Sequence, residues 1–127
     1  MSEESVEIVR RFFAALDDED YGAAVGLFDP NVEWVPTEGR YQGREGVLNH
    51  MIEWMEPWDE HSITAKEVIE AGDQVLAVIH LTARGAGSGM EIDQDFFQIY
   101  AISEGKIVRM VEYVERDEAL EAAGLDE

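Results

Sequence analysis

The first half of the chain repeats its apolar residues with the period of a helix. Five of them recur at spacings of three and four positions: Val6, Val9, Phe12, Phe13 and Leu16. This spacing predicts an amphipathic helix over about residues 3–17. Asp20 is placed to cap a second short helix, and residues 32–36 favour a strand. Pro57 ends a third amphipathic segment near residues 55–56.

The second half of the chain changes to the pattern of strands. Four segments are rich in β-branched and aromatic residues: 63–71, 74–84, 90–102 and 106–115. Short turns that contain glycine separate them, the longest at residues 85–89. Such segments with such tight connections predict an antiparallel meander. A last helix is predicted over about residues 117–123, where Gly124 suits the left-handed position that ends a helix.

The order of these elements predicts the fold class. Helices come first and most strands later, which is the order of an α+β protein. We expect a strongly curved antiparallel sheet of four to five strands, with the N-terminal helices packed on its concave face. Such a cone encloses an internal pocket at its wide end. No repeat or linker divides the 127 residues, so one domain over residues 1–127 is predicted.

The charge of the chain narrows the classes of partner. It holds 29 acidic and 9 basic residues, a formal net charge of -20. Nucleic acids and anionic membrane surfaces would be repelled, so neither is predicted as a partner. The absence of cysteine excludes disulfides and thiolate zinc sites. His50 and Glu53 are a weak metal-binding match without a converging third ligand, so no metal and no cofactor are predicted.

The apolar stretches and the N-terminal residues predict no targeting segment. No apolar stretch approaches the roughly 20 residues of a membrane-spanning helix. The first residues are acidic and lack the basic start and apolar middle of a signal peptide. The sequence therefore predicts a cytoplasmic protein.

Four stretches of the chain resemble a known family. They are LFDPNVEW, YQGREGV, the Gly-rich turn and EGKIVRMVEYVERDEALEAAGL. Together they resemble the SnoaL-like branch of the nuclear-transport-factor-2-like superfamily, which also includes ketosteroid isomerase and polyketide cyclases. The resemblance implies the cone described above and a small apolar ligand of polyketide, steroid or terpenoid type. It also implies a homodimer formed through the convex sheet face. This fold carries many chemistries, so the resemblance does not name a reaction.

The catalytic set of ketosteroid isomerase is predicted to be absent. That enzyme needs a general base and two hydrogen-bond donors. The resemblance places Pro36 at the base, Phe12 at the tyrosine donor and Gln98 at the aspartate donor. Gln98 also stands where SnoaL-type cyclases carry their acid-base aspartate. None of the three residues can exchange a proton in that role.

Candidate ligand-binding residues follow from the alternation of side chains along a strand. If Gln98 faces the cavity, so do Phe96 and Tyr100; the resemblance turns Met110 inward on the next strand. The alternative is that Gln98 and Tyr100 lie on the outer face and serve a dimer interface. Large rings complete the predicted pocket wall, with ordinary core packing as the alternative for the tryptophans: Phe12, Trp34, Trp54 and Trp58.

Candidate catalytic residues are His80, Asp95 and Glu112. If the Gly-rich turn centres between residues 87 and 88, His80 directly opposes Asp95, and a His-Asp pair can form. A slip of one residue would turn the aspartate away. By periodicity His80 lies opposite the more apolar face of its strand. His50 and His61 are expected at the surface.

Two functional classes remain open at this stage. The first is an isomerase, cyclase or hydrolase that uses acid-base catalysis through His80 with Asp95, or through Glu112. It requires His80 or Glu112 to line a closed cavity. The second is a binding or sequestering domain without chemistry, which the missing isomerase residues favour.

Overall fold

The computed structural model describes residues 2–36, 39–56, 58–85 and 90–125. Four helices and six strands follow one another along the chain: α1 Ser2–Asp17, α2 Tyr21–Gly26, β1 Phe28–Val35, β2 Tyr41–Gln42, α3 Arg44–Met55, β3 Trp58–Ala71, β4 Gln74–Gly85, β5 Glu91–Ser103, β6 Lys106–Tyr113 and α4 Arg116–Ala123. The predicted α+β class is confirmed. Pro57 and most of the Gly-rich turn, residues 86–89, lie outside the described residues.

The helix ends form where the sequence predicts them. The Asp20 side chain accepts a hydrogen bond from the Ala23 backbone N–H at 3.1 Å and so caps α2. Gly124 takes a φ of 76° after α4, a conformation that glycine adopts without steric cost. The third helix begins after Gly43, where φ is 84°. These local signals fix the residues at which the helices start or stop.

The sheet is curled and open, and it has more strands than predicted. Its strand order is β2-β1-β6-β5-β4-β3. The sequence pattern does not predict the two-residue strand β2, and it places the starts of two strands too late: β1 begins at Phe28, four residues earlier, and β3 begins at Trp58, five residues earlier. The sheet is also not wholly antiparallel, because β1 runs parallel to β6. A bulge between Ala65 and Glu67 interrupts β3, and bulges of this kind bend a strand.

The two faces of the sheet carry separate apolar clusters. On the concave face, α1 buries Val9, Phe12 and Phe13 against the strands. On the convex face, α4 packs Ala119 and Ala123 over a smaller cluster: Leu76, Val78, Phe97 and Ile99. Alternation along β4 and β5 separates the two sets, as the sequence predicts. No helix in the described part of the chain is long and apolar enough to cross a membrane.

Candidate ligand pocket

A cavity of about 650 Å³ lies between the concave sheet face and the helices α1 and α3. Seven of the predicted site residues line it: Phe12, Trp34, Trp54, Phe96, Gln98, Met110 and Glu112. The cavity faces Gln98 because β5 turns its even-numbered residues inward near this point, which decides against the outer-face alternative. Most of the lining is apolar or aromatic, and a few polar groups converge in it. This combination is typical of small-molecule sites.

Three polar side chains on β5 and β6 form a hydrogen-bonded chain on the sheet side of the cavity. The Tyr100 hydroxyl donates to Gln98 Oε1. Gln98 Nε2 then donates to Glu112 Oε1 at 3.1 Å. Because a carbonyl oxygen only accepts, the tyrosine fixes the amide with its NH₂ group toward Glu112. Tyr100 does not line the cavity as predicted: it lies fully buried behind Gln98, against the rings of Phe12 and Phe13.

Burial changes the pKa values of Tyr100 and Glu112, the two side chains at the ends of this hydrogen-bonded series. The pKa of the Tyr100 phenol is raised well above its usual value, first by burial and then by the charge of Glu112, so Tyr100 stays a neutral donor. Burial also raises the pKa of Glu112, while the hydrogen bond from Gln98 opposes that shift. Glu112 therefore binds a proton more readily than a carboxyl group in water does. The hydrogen bond from Gln98 engages the Oε1 atom of Glu112.

A group of rings from β1, β2 and α3 forms another part of the cavity wall. Tyr41 and His50 stack with centroids 3.9 Å apart and planes 15° from parallel. Trp34 meets His50 edge-on at 5.0 Å, and its buried Nε1 atom has no hydrogen-bond partner. Trp54 also lines the cavity, whereas Trp58 lies outside the lining and packs on Trp54 at 5.9 Å. The prediction that Trp58 lines the pocket is therefore not met.

The expectation that His50 and His61 lie at the surface is wrong. Both are partly buried and line the cavity. On α3, His50 lies three residues after Val47 and four before Trp54, so one helix face carries all three residues toward the sheet. That spacing was available in the sequence as a signal. His61 was missed because β3 begins before the predicted strand.

The predicted His-Asp pair forms, but on the other face of the sheet. His80 is paired with Asp95 in the strand register, and its Nδ1 lies 2.7 Å from Asp95 Oδ1. Its Nε2 lies 3.1 Å from Asp93 Oδ1. Leu81 and Gln94, the pair next to His80 and Asp95, line the cavity instead. His80 and Asp95 therefore do not line the pocket, contrary to the prediction of their place, because alternation along β4 and β5 turns both side chains outward.

The outer group, formed by His80, Asp93, Asp95 and Lys66, is held together by ion pairs that are open to solvent. Lys66 Nζ donates to Asp95 Oδ2 at 2.9 Å. The hydrogen bond from Lys66, followed by that of His80, lowers the pKa of Asp95. The side chains of His80 and Asp95 are each 38% exposed. Across the described residues, no three acidic or histidine side chains converge as metal ligands would.

Comparison with known proteins places the chain in a family. The model of the SnoaL-like domain matches residues 9–110. The chain belongs to the SnoaL-like family. No curated protein sequence matches it.

Solved structures share the fold of this SnoaL-like domain at low sequence identity. A candidate SnoaL-like polyketide cyclase from Jannaschia is 18% identical, with a TM-score of 0.80 over 99% of this chain and 94% of that one. TerC, co-crystallised with polyporic acid, is 20% identical, with a TM-score of 0.77 over 95% of this chain and 98% of that one. A protein from Catenulispora acidiphila with a ketosteroid isomerase-like fold, in complex with trimethylamine, is 19% identical, with a TM-score of 0.76 over 94% and 93%.

Proposed function

We propose that this SnoaL-like domain binds an apolar, ring-bearing small molecule of polyketide, steroid or terpenoid type and that Glu112 is the acid-base group that acts on it. The reaction would be an isomerisation, cyclisation or hydrolysis that needs no cofactor. One observation carries the proposal. A carboxyl group lies in a mostly apolar cavity, where burial raises its pKa.

The shape and lining of the cavity support the ligand class. Its volume of about 650 Å³ lies within the range of roughly 300–1,000 Å³ that is typical of small-molecule sites. Trp34, Trp54 and Phe96 provide flat apolar surface, on which a ring system stacks well. The structural neighbours that hold polyporic acid and trimethylamine support small organic molecules as the ligand class.

The chemistry of Glu112 supports proton transfer. An acid-base group works best when its pKa lies near the working pH, and burial moves Glu112 in that direction. Gln98 holds one carboxyl oxygen in place and leaves the other for the ligand. In the protonated state Glu112 can donate to a ligand oxygen, and in the ionised state it can accept a proton from the ligand.

Binding without chemistry is the second candidate function. Its support is that the family resemblance puts Pro36, Phe12 and Gln98 at the positions where ketosteroid isomerase carries its catalytic set, and none of the three transfers a proton there. A domain with the same cavity and no suitable acid-base group would sequester its ligand. The two candidates differ in whether Glu112 changes the ligand or only contacts it.

Mass spectrometry of the purified protein tests both candidates. Native spectra of wild type and Glu112→Gln should each show a co-purified small molecule. In D₂O, wild type should then change the mass of that molecule at non-exchangeable positions, and Glu112→Gln should not. Glu121→Gln is the matched control, because Glu121 is exposed on α4. Turnover by Glu112→Gln at the wild-type rate would contradict the role of Glu112, and no turnover by either protein would favour simple binding.

A cytoplasmic homodimer stays a prediction. Helix α4 already covers Leu76, Phe97 and Ile99 on the convex face, so a second copy would meet mainly the charged surface around His80. Light scattering of the purified protein measures the oligomeric state. A dimer that dissociates at high salt would fit an interface built from these ion pairs.

A further inference from the structure

Leaving the two histidines aside, the titratable side chains that carry charge in the lining of the pocket are all acidic. Its lining contains Asp17, Glu19 and Glu112, and among the described residues no lysine or arginine lines it. All nine lysines and arginines of the chain lie within the described ranges. The residues outside those ranges therefore add no basic side chain to the pocket. A ligand in this cavity meets no side chain with a permanent positive charge.

Most of the basic side chains are held by partners elsewhere in the fold. Arg40 and Arg109 both contact Glu33, at 2.9 and 3.2 Å. Arg84 pairs with Glu60 at 3.0 Å. Three others are also occupied: Arg44 donates to the Phe28 carbonyl, Lys66 to Asp95, and Lys106 to the Gly26 carbonyl. Neutralising Glu112 with one of these side chains would break an existing contact.

Glu112 therefore lacks a counter-charge. Its partner in the fold is the neutral amide of Gln98. A carboxylate withdrawn from water is costly unless an opposite charge or a proton accompanies it. An anionic ligand would add a second negative charge, and with a neutral ligand only a proton could neutralise Glu112. A cationic ligand would supply the missing charge.

The rings of the pocket favour the same ligand charge. Trp34, Tyr41 and Trp54 line the cavity together with Glu112. The faces of aromatic rings attract cations. Asp17 and Glu19 are exposed at the cavity edge, where their charge attracts cations toward the entrance. Carboxylates and rings in the same cavity thus both favour a cationic ligand with an apolar body.

We propose that the ligand of this pocket is an apolar amine, whose ammonium group pairs with Glu112 while its hydrophobic body packs on the aromatic wall. The inference rests on the proposed function, because it uses the same pocket and the same carboxyl group. It narrows the ligand from any apolar small molecule to one that carries a basic nitrogen.

Calorimetry with three matched probes tests the inference. The probes are 1-naphthylmethylamine, 1-naphthalenemethanol and 1-naphthylacetate, which share one ring body and differ in charge. At about pH 7 and near-physiological salt, we expect the amine to bind wild type at least about tenfold more tightly than the alcohol, and the acetate more weakly than the alcohol. In Glu112→Gln the amine and the alcohol should bind with affinities within about threefold of each other.

The control separates the pocket from the general acidity of the protein. Glu121→Gln removes the same charge from the outer surface and should keep the full preference for the amine. Equal binding of amine and alcohol by wild type would overturn the amine inference and leave the apolar pocket intact. An amine preference that survives in Glu112→Gln would also overturn it. Binding of none of the three probes would contradict the proposed function as well.

Proton release gives a second measurement at the same site. Because burial raises the pKa of Glu112, the free protein should keep this carboxyl group protonated to a higher pH than a carboxyl group in water. Pairing with an ammonium group favours the carboxylate, so amine binding should release protons. Calorimetry in two buffers of different ionisation enthalpy measures this release. His50 and His61 also line the cavity, and comparison with Glu112→Gln isolates the contribution of Glu112. Equal proton release in wild type and Glu112→Gln would contradict the pairing.

Discussion

The two faces of the sheet carry similar polar groups in opposite surroundings. On the concave face, Tyr100, Gln98 and Glu112 are linked by hydrogen bonds across β5 and β6. On the convex face, Lys66 and Asp95 are linked to His80 across β3, β5 and β4. Neighbouring residues of β5 belong to different groups, because successive side chains point to opposite faces.

The surroundings decide what each group can do. Burial raises the pKa of Glu112, whereas Lys66 and then His80 lower the pKa of Asp95 beside solvent. The outer group contains a His-Asp pair, the arrangement often associated with catalysis, yet neither residue of that pair lines the cavity between the sheet and the helices. The inner group, formed by Tyr100, Gln98 and Glu112, does not resemble a common catalytic arrangement. It nevertheless borders the cavity and contains a carboxyl group whose pKa is raised. Position relative to the cavity therefore identifies the candidate site better than the residue types alone.

The largest effect should come from breaking the inner group at its centre. Gln98→Leu leaves the buried Tyr100 hydroxyl without an acceptor, which should lower the free energy of unfolding by roughly 1–3 kcal/mol. It should also raise the pKa of Glu112, because the hydrogen bond from Gln98 lowers it. Urea denaturation and NMR titration measure the two effects. Gln94→Leu, at an exposed position of the same strand, is the control and should stay within about 0.5 kcal/mol of wild type.

A smaller effect should follow from removing only the tyrosine hydroxyl. Tyr100→Phe takes away the donor to Gln98 Oε1 and should cost about 1 kcal/mol. The amide is then free to turn its oxygen toward Glu112, which favours the protonated carboxyl and raises its pKa. A purely structural role for Tyr100 would leave the titration of Glu112 unchanged, and that result would refute the positioning argument. Tyr113→Phe, next to the convex cluster, is the matched control.

Replacing one carboxylate on each face should change stability in opposite directions. The pKa of Glu112 is raised in the folded state, so wild type loses stability as pH rises from the unfolded value of about 4.3 through the folded value. Glu112→Gln avoids this loss and should have a higher melting temperature than wild type at neutral pH. The difference should disappear below the unfolded pKa. Such a gain would fit a residue kept for function at a cost in stability.

The partner variant on the convex face is Asp95→Asn. The pKa of Asp95 is lowered in the folded state, so its contribution to stability is present above the unfolded value of about 3.9 and is lost as pH falls through the folded value. Asp95→Asn should therefore melt below wild type at neutral pH and converge with it in acid. Melting curves of both variants against pH provide the measurement. Shifts of the same sign at neutral pH would remove the contrast between the two faces.

Periodicity in the sequence predicted the faces better than the contents of the pocket. It placed His80 opposite the apolar side of β4 and grouped Gln98 with Phe96 and Tyr100, because alternation is a local property. It could not show that α1 would cover Tyr100 with Phe12 and Phe13, since this depends on how a distant helix docks. Periodicity in the sequence therefore does not distinguish a residue of the pocket wall from a residue of the buried core.

The early start of β3 shows a second limit of the sequence. Residues 58–62 contain Trp58 followed by a run of polar residues, without the alternation that predicts a strand. They form one because they pair with β4, where Glu60 opposes Arg84 and contacts it at 3.0 Å. This extension carries His61 into the cavity lining. Residues 58–62 form a strand because they pair with β4, and the local sequence pattern does not show this pairing. The contribution of His61 to the pocket therefore could not be predicted.

The smallest effect should come from dismantling the outer pair itself. His80→Ala removes the contacts of both ring nitrogens, but exposed ion pairs contribute little, so the free energy of unfolding should change by less than about 1 kcal/mol. Because His80 points away from the cavity, the affinities of the three naphthyl probes should equal those of wild type within error. Calorimetry under identical conditions makes this comparison. A loss of amine binding in His80→Ala that matches the loss in Glu112→Gln would mean that the two faces are coupled, and the assignment of function to the concave face alone would then fail.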